Sequence, residues 1–556
     1  MRQRWKLIFG LVIVACLALS SEDSLTDVTT ALGIRFKLEN SATSQKYLPE
    51  TMCGGVALFD FDNDGRLDIF LTNGAELDDP MAPGTHPNKS DPRFWNRLYH
   101  QNPNGTFTDV TRQAGVAGSG YSMGVAVGDF DNDGYEDLFV TGLEGATLYH
   151  NNGNGTFSDV TTKAGVETKG WSSSSGFFDF NNDGKLDLFV ARYVEWDFQH
   201  YPVCFNPSGE RDYCHPKLLK GAGSLLYRNN GDGTFTDVSH ESGVDKLKGK
   251  GLGVAFADYD NDGWTDIYVA NDSMQCYLLH NNGNGTFTDA GLSAGVAYTE
   301  DGNDFAGMGV DFADYDNDGH PDVAVTDLAQ QRYMLFRNRG DGTFSSETIA
   351  SGLARASQMF TGWGIKWVDF DNDGWKDLFV AQGNVESLPA TSGIKVRQPP
   401  LLLRNNQGKL QRWGETAGSA LAPAWMGRGA AFGDLDNDGA VDIVVSNIGQ
   451  NAYVLHNNVG LKNHWLGIKT EGRQSNRDGI GCRIKVTGAS GLTQYYTVNT
   501  AGSYLSANDR RLVIGLGADT SARLLEARWP SGAMQRLENV RAGQWLNLRE
   551  PPGETK

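Results

Sequence analysis

Apolar and polar positions along this chain alternate in short, recurring blocks. One block reads as a Gly-rich apolar strand running into an acidic loop (GVAVGDFDNDG, Gly124 to Gly134), then a strand DLFVT (Asp137 to Thr141). A third strand LYHNN, a turn Asn152-Gly153-Asn154-Gly155 and a fourth strand from Thr156 to Thr161 complete it. The Asn-Gly turn supplies the positive φ that a tight hairpin needs. Four short antiparallel strands recurring every 50 to 80 residues predict the blade of a β-propeller.

Acidic loops begin at Asp60, Asp129, Asp179, Asp258, Asp314, Asp369 and Asp434, so the expected fold is an all-β, seven-bladed propeller over residues 24–458. The last blade, ending in YVLHNN (Tyr453 to Asn458), lacks a fourth strand. Leu25 to Ile34 (LTDVTTALGI) matches Phe107 to Val116 (FTDVTRQAGV), so the N-terminal strand is expected to close the last blade and pair both open edges.

The core follows the same register. Loop position ten is aliphatic throughout, at Ile69, Leu138, Leu188, Ile267, Val323, Leu378 and Ile443. Ahead of the loops, Gly55, Gly124, Gly253, Gly309, Gly364 and Gly429 share one position, with Ser174 as the exception. Small residues there would let inner strands crowd the central axis.

Outside the repeat, residues 463–549 carry six further strand patterns and predict a separate, small β-sandwich-like domain, followed by a tail at 550–556. Residues 1–20 join a basic front (Arg2, Arg4, Lys6) to an apolar run too short to span a bilayer, the pattern of an export signal. Cleavage near Ala18-Leu19-Ser20 would release a soluble chain. Ile13-Val14-Ala15-Cys16 resembles a lipobox, through which Cys16 would carry a lipid anchor. Left uncleaved, the segment would itself be the anchor, and all three routes predict a secreted, periplasmic or cell-surface protein.

The formal charge of −20 over 556 residues opposes nucleic-acid binding. Much of it sits in the seven loops, whose pattern is acid, any, acid, any, acid, Gly, any, any, acid. The ligand positions are Asp60, Asp62, Asp64 and Asp68; Asp129, Asp131, Asp133 and Asp137; Asp179, Asn181, Asp183 and Asp187; and Asp258, Asp260, Asp262 and Asp266. They continue as Asp314, Asp316, Asp318 and Asp322; Asp369, Asp371, Asp373 and Asp377; and Asp434, Asp436, Asp438 and Asp442. Hard oxygens around a turn glycine suit Ca²⁺, which takes roughly six to eight of them. Up to seven ions are expected, and seven would bring the charge from −20 to −6. The loops are not EF-hands: the twelfth residues of the first two are Leu71 and Val140, where that loop needs Glu, and the flanks are strands. The alternative, acidic turns without a cation, leaves four carboxylates repelling one another.

Three connections between second and third strands are long: 74–97, 193–223 and 384–400. They are expected on the face opposite the acidic loops. Trp95, Tyr193, Trp196, Tyr201 and Tyr213 in two of them are candidate partner-binding residues, the alternative being a lid over the channel. Cys204 and Cys214 are expected to form a disulfide; Cys53, Cys276 and Cys482 have no evident partners.

The loops together with the LYHNNGNGTF-type hairpins resemble FG-GAP repeats of the integrin α-subunit kind. NHWLGIKTEGRQSNRDGIGCRIKV, AGSYLSANDRRLVIGLG and RWPSGAMQRLENV resemble the ASPIC/UnbV domain. The combination is similar to the cartilage acidic protein family. That resemblance implies a secreted or surface Ca²⁺-binding propeller without established catalytic residues.

Two other functions stay open. One is a glycan-active enzyme using the propeller channel, for which Asp311 and Lys366, in one register of neighbouring blades, are the residues to test; they also read as an ion pair. The other is a structural cell-envelope protein that assembles through its C-terminal domain. No nucleophile elbow, zinc motif or phosphate loop is present. The first expectation is a non-catalytic binding or adhesion module for an extracellular protein or glycan.

Overall fold

The computed structural model describes residues 24–385, 392–413 and 418–552. The export signal, Cys16, part of the third insert and the end of the tail lie outside those residues.

Seven four-stranded antiparallel blades form the propeller. In the first, Val56–Phe59, Asp68–Leu71, Arg97–Gln101 and Phe107–Asp109 pair in sequence order from the axis outward. The fourth blade adds Phe305–Ala306 to the far end of its second strand. Gly427–Gly433, Asp442–Asn447 and Tyr453–Asn457 make the last blade, whose outer strand is Leu25–Asp27, with Leu25 opposite Asn457 and Asp27 opposite Leu455. The pairing strand is only three residues long. Beyond it Asp27 Oδ1 accepts from the Thr29 backbone N–H at 3.0 Å and turns the chain.

Blade cores are the apolar faces of adjacent sheets packed against each other, with Ile69, Leu138, Leu188, Ile267, Val323, Leu378 and Ile443 all fully buried. Two asparagine positions stitch blade to blade. The residue ending the third strand donates to the carbonyl of loop position two in the preceding blade. The donors are Asn151, Asn229, Asn281, Asn338, Asn405 and Asn457, at 2.7–2.9 Å. In the first blade Gln101 reaches Leu435 O at 2.8 Å and closes the circle.

The C-terminal region has two sheets, one of three strands and one of four. Leu512–Gly517, His464–Glu471 and Gln544–Arg549 form the first; Thr493–Thr497, Arg483–Gly488, Ser521–Arg528 and Met534–Arg541 form the second. It is not a separate body. Thr500 to Asn508, between the two sheets, leaves this sandwich and fills the propeller axis, with each residue buried. Ala507 N–H donates to Val56 O at 2.8 Å, and Val125 N–H to Leu505 O at 3.0 Å. Ser503 exchanges two backbone bonds with Val310, at 2.8 and 3.0 Å. At its tip the Tyr504 ring stands edge-on to Trp363, centroids 4.9 Å apart, and its hydroxyl donates to Met52 O at 2.8 Å.

This plug explains the small residues on the inner strands. A Cβ on Gly55 would come within 2.2 Å of Leu505 O and one on Gly124 within 3.0 Å of it, while one on Gly429 would meet both Gly54 O of the neighbouring blade at 2.2 Å and Ser506 Oγ at 2.7 Å. At Gly253 and Gly309 the obstruction is instead the neighbouring blade, Met308 O and Trp363 O. Ser174 breaks the glycine pattern because its Oγ accepts the Leu505 N–H at 3.1 Å.

Candidate functional site

All seven acidic loops lie on one rim and share one geometry. The first aspartate folds the turn: Asp60 Oδ1 and Oδ2 accept the Asp64 and Gly65 N–H groups at 3.0 and 2.9 Å. Position six is glycine at φ of +81° to +97° in every loop, a conformation that side chains resist. The last aspartate is anchored from two directions. Asp68 Oδ2 accepts Phe61 N–H at 3.2 Å and Oδ1 accepts Gln101 N–H at 2.8 Å. The same pair of bonds recurs at Asp137, Asp187, Asp266, Asp322, Asp377 and Asp442.

Position four is asparagine throughout, each at φ of 55–63°. Asn63 Nδ2 donates to Gly134 O of the next loop at 2.8 Å, and six of the seven loops make this link, ending with Asn437 to Gly65 O at 3.0 Å. At the remaining one Asn261 meets His320 and Arg483 instead. The loops therefore form one connected ring.

The electrostatics ask for a cation. Burial pushes the Asp68 carboxyl up to about 6 and those of Asp137 and Asp266 up to about 7. Burial and then its neighbours Asp373 and Asp371 also raise Asp369 well above the usual carboxylate range. Buried oxygens Asp62 Oδ1, Asp258 Oδ1, Asp316 Oδ1 and Asp371 Oδ1 lack a hydrogen-bond donor. Unpaired hard oxygens in a cluster with a raised proton affinity fit Ca²⁺, and positions one, three, five and nine are the side chains that would hold it.

Residues 60–140, 129–190, 220–269, 258–325 and 325–380, more than half of the chain, match the FG-GAP-like repeat. Residues 472–555 match the ASPIC and UnbV domain. The chain belongs to the FG-GAP-like repeat family. It is 28% identical over 318 residues to cartilage acidic protein 1 of Homo sapiens and 27% identical over 326 residues to that of Mus musculus. These alignments cover 56% and 58% of this chain and 46% and 48% of the relatives, so the chain spans about half their length. A solved structure of YCF48 bound to D1 peptide is similar at a TM-score of 0.40 and 8% identity, over 73% of this chain and 92% of that one.

In this FG-GAP chain the ASPIC/UnbV region covers the acidic rim. Arg511 donates to Asn437 Oδ1 at 2.7 Å and to Asp434 O at 3.0 Å. Asp478 Oδ2 accepts Asp129 N–H at 2.8 Å, and Arg510 bridges Asp478 and Glu136 at 3.3 and 3.0 Å. A cleft of about 610 Å³ remains between this region and loops four to seven, lined by Trp367, Tyr495, Tyr496 and Lys376 among others. Asp311 and Lys366 also line it, and they are an ion pair at 2.8 Å, with Asp311 Oδ2 accepting Trp367 N–H at 3.0 Å.

The aromatic insert residues mostly face inward, which corrects their reading as a partner surface. Tyr193 is fully buried and donates its hydroxyl to Asp272 Oδ2 at 2.6 Å. Trp196 packs on Trp171, Phe198 and Tyr201 with centroids 5.1–5.4 Å apart. Tyr201 OH accepts Cys214 N–H at 3.0 Å, and Tyr213 OH donates to the buried Glu50 at 3.0 Å. Trp95 Nε1 donates to Lys89 O at 3.1 Å. Aromatic side chains of this size gain more from burial than from waiting in water. The insert and residues 45–50 together make a lid over the far mouth.

Cys204 and Cys214 are joined by a disulfide, and Cys53, Cys276 and Cys482 are buried free thiols. The stapled hairpin exposes residues outside that candidate set: Val203 (66%) and Phe205 (63%), with Leu218 (64%) on the same insert. Their only sequence signal was apolar side chains beside the cysteines.

Proposed function

We propose that this chain is an exported calcium-binding propeller that engages a protein or glycan partner and performs no catalysis. The observation that carries it is the plug: Thr500 to Asn508 occupies the axis in which a propeller enzyme would seat substrate. The loop carboxylates are committed to turn bonds and to the cation, so they are poor general acids or bases. The extracellular setting rests on the family and on the Cys204–Cys214 bridge, which persists in oxidising compartments. The insert hairpin, stapled and carrying exposed Val203 and Phe205 beside the disulfide, is the partner surface.

Binding of the full chain to arrayed glycans and to immobilised extracellular-matrix proteins tests this. A V203D/F205D double variant should lose at least tenfold in affinity while melting as the parent does, since both side chains are already exposed. Undiminished binding by that variant would remove the hairpin from the interface. Polysaccharide turnover lost on Asp311→Asn would favour the enzyme, whose room would be the 610 Å³ cleft.

A further inference from the structure

The seven loops are not equivalent. The residue before the third-strand stitching amide is His100, His150, His280 and His456 in blades one, two, four and seven, and Arg228, Arg337 and Arg404 in blades three, five and six. Each histidine Nδ1 lies 3.1–3.3 Å from the last loop aspartate and 3.4–3.8 Å from the position-three aspartate, beside the carboxylate cluster. Arg228 is exposed and pairs with no loop carboxylate.

Loops five and six differ. Arg337 pairs with both Asp316 and Asp318, the latter at 2.6 Å. Arg404 reaches Asp371 and Asp373 at 2.6 and 3.1 Å. Each guanidinium thus bridges positions three and five, two of the four carboxylates that would face the ion. Arg66 and Lys185 in loops one and three touch position five alone, and Arg483 reaches only position one of loop four, Asp258, at 3.7 Å.

A third cation sits between the same two loops. Lys376 is 4% exposed, donates to Asp314 O at 2.9 Å and stands 4.1 Å from the centroid of the Tyr496 ring. Among the described residues no carboxylate lies within ion-pair distance of it; the charges that act on it most are those of Asp314 and Asp369, one from each loop. A buried ammonium is tolerated only while nearby charge compensates it. A dication in each loop would cancel that compensation and add repulsion in a poorly solvated place.

Building on the calcium reading above, we infer that Arg337, Lys376 and Arg404 act as built-in counter-cations that make loops five and six weak sites, so that the chain loads five ions tightly and the last two weakly. In loops one, two, four and seven an imidazole stands where loops five and six have the bridging guanidinium, with its Nδ1 nearest the last aspartate and no contact to position five, and loop three has an exposed arginine there.

The test is stoichiometry. Full chain stripped with chelator is titrated with Ca²⁺ and followed by native mass spectrometry and calorimetry. Five ions should bind first, with two more at least tenfold weaker. In an R337Q/R404Q variant, altered only at side chains 39% and 51% exposed, the weak class should tighten tenfold or more towards the other five. Seven ions of one affinity in the parent, or a split unchanged in the variant, overturns the inference. Failure of any ion to bind instead overturns the calcium reading itself.

Discussion

A chain ending at Asn458 should fail to give a stable propeller, although all seven blades would be present. The plug supplies bonds that the inner strands cannot make among themselves: Val125 N–H, Val310 N–H and Leu58 N–H each donate to a carbonyl of residues 503–507. Losing it strands buried donors, at roughly 1–3 kcal/mol apiece, and opens a hole walled by Gly55, Gly124 and Gly429. Truncated protein is expected in inclusion bodies, or melting without cooperativity. Tyr504→Ala in the full chain isolates the tip. It deletes a fully buried ring against Trp363 and the bond to Met52 O, and should cost about 3–5 kcal/mol. A soluble, cooperatively melting truncation, or a Tyr504→Ala variant melting with the parent, would show that the axis needs no filling.

The blades were readable in the sequence because their signals are local. An acidic turn, an Asn-Gly hairpin and an aliphatic position ten each declare themselves within a dozen residues, and the missing last strand was visible as a copy at the other end. The plug was not readable. AGSYLSAND has no periodicity, and its propeller partners lie from 73 residues away at Ala430 to 452 residues away at Met52. Six glycines signalled close approach correctly, yet nothing in them says whether the approaching group is a neighbouring blade or a distant segment. The position-four asparagines stood in plain view in each DND or NND triplet. Their role appears only when loops are set in a ring, with Nδ2 of one facing the glycine carbonyl of the next. The insert aromatics misled because an aromatic loop and an aromatic lid have the same composition.

Calcium removal should lower the melting temperature by more than 10 °C at neutral pH, and by progressively less as the solution is acidified. At free calcium a hundredfold above the dissociation constant, one site occupied only in the native state contributes about 2.7 kcal/mol, and several sites act together here. The pH dependence follows from the buried carboxyls. Asp68, Asp137 and Asp266 have folded-state values of about 6, about 7 and about 7, against an ordinary 3.8. In chelator the native chain therefore holds protons that the unfolded chain releases, so stability falls as pH rises from about 4 to about 7. For a group displaced this far the loss is on the order of 3–4 kcal/mol at neutral pH, since each tenfold change in proton affinity is 1.36 kcal/mol. A bound dication favours the ionised carboxylates and removes that slope. Two melting series between pH 4.5 and 7.5, one in chelator and one in excess calcium, should converge at the acid end and separate steadily above it. Superimposed series would mean that the carboxylates are neutralised from within the protein, by Arg337, Arg404, Arg511 and their like, and that the rim is a structural ring rather than a metal-binding one.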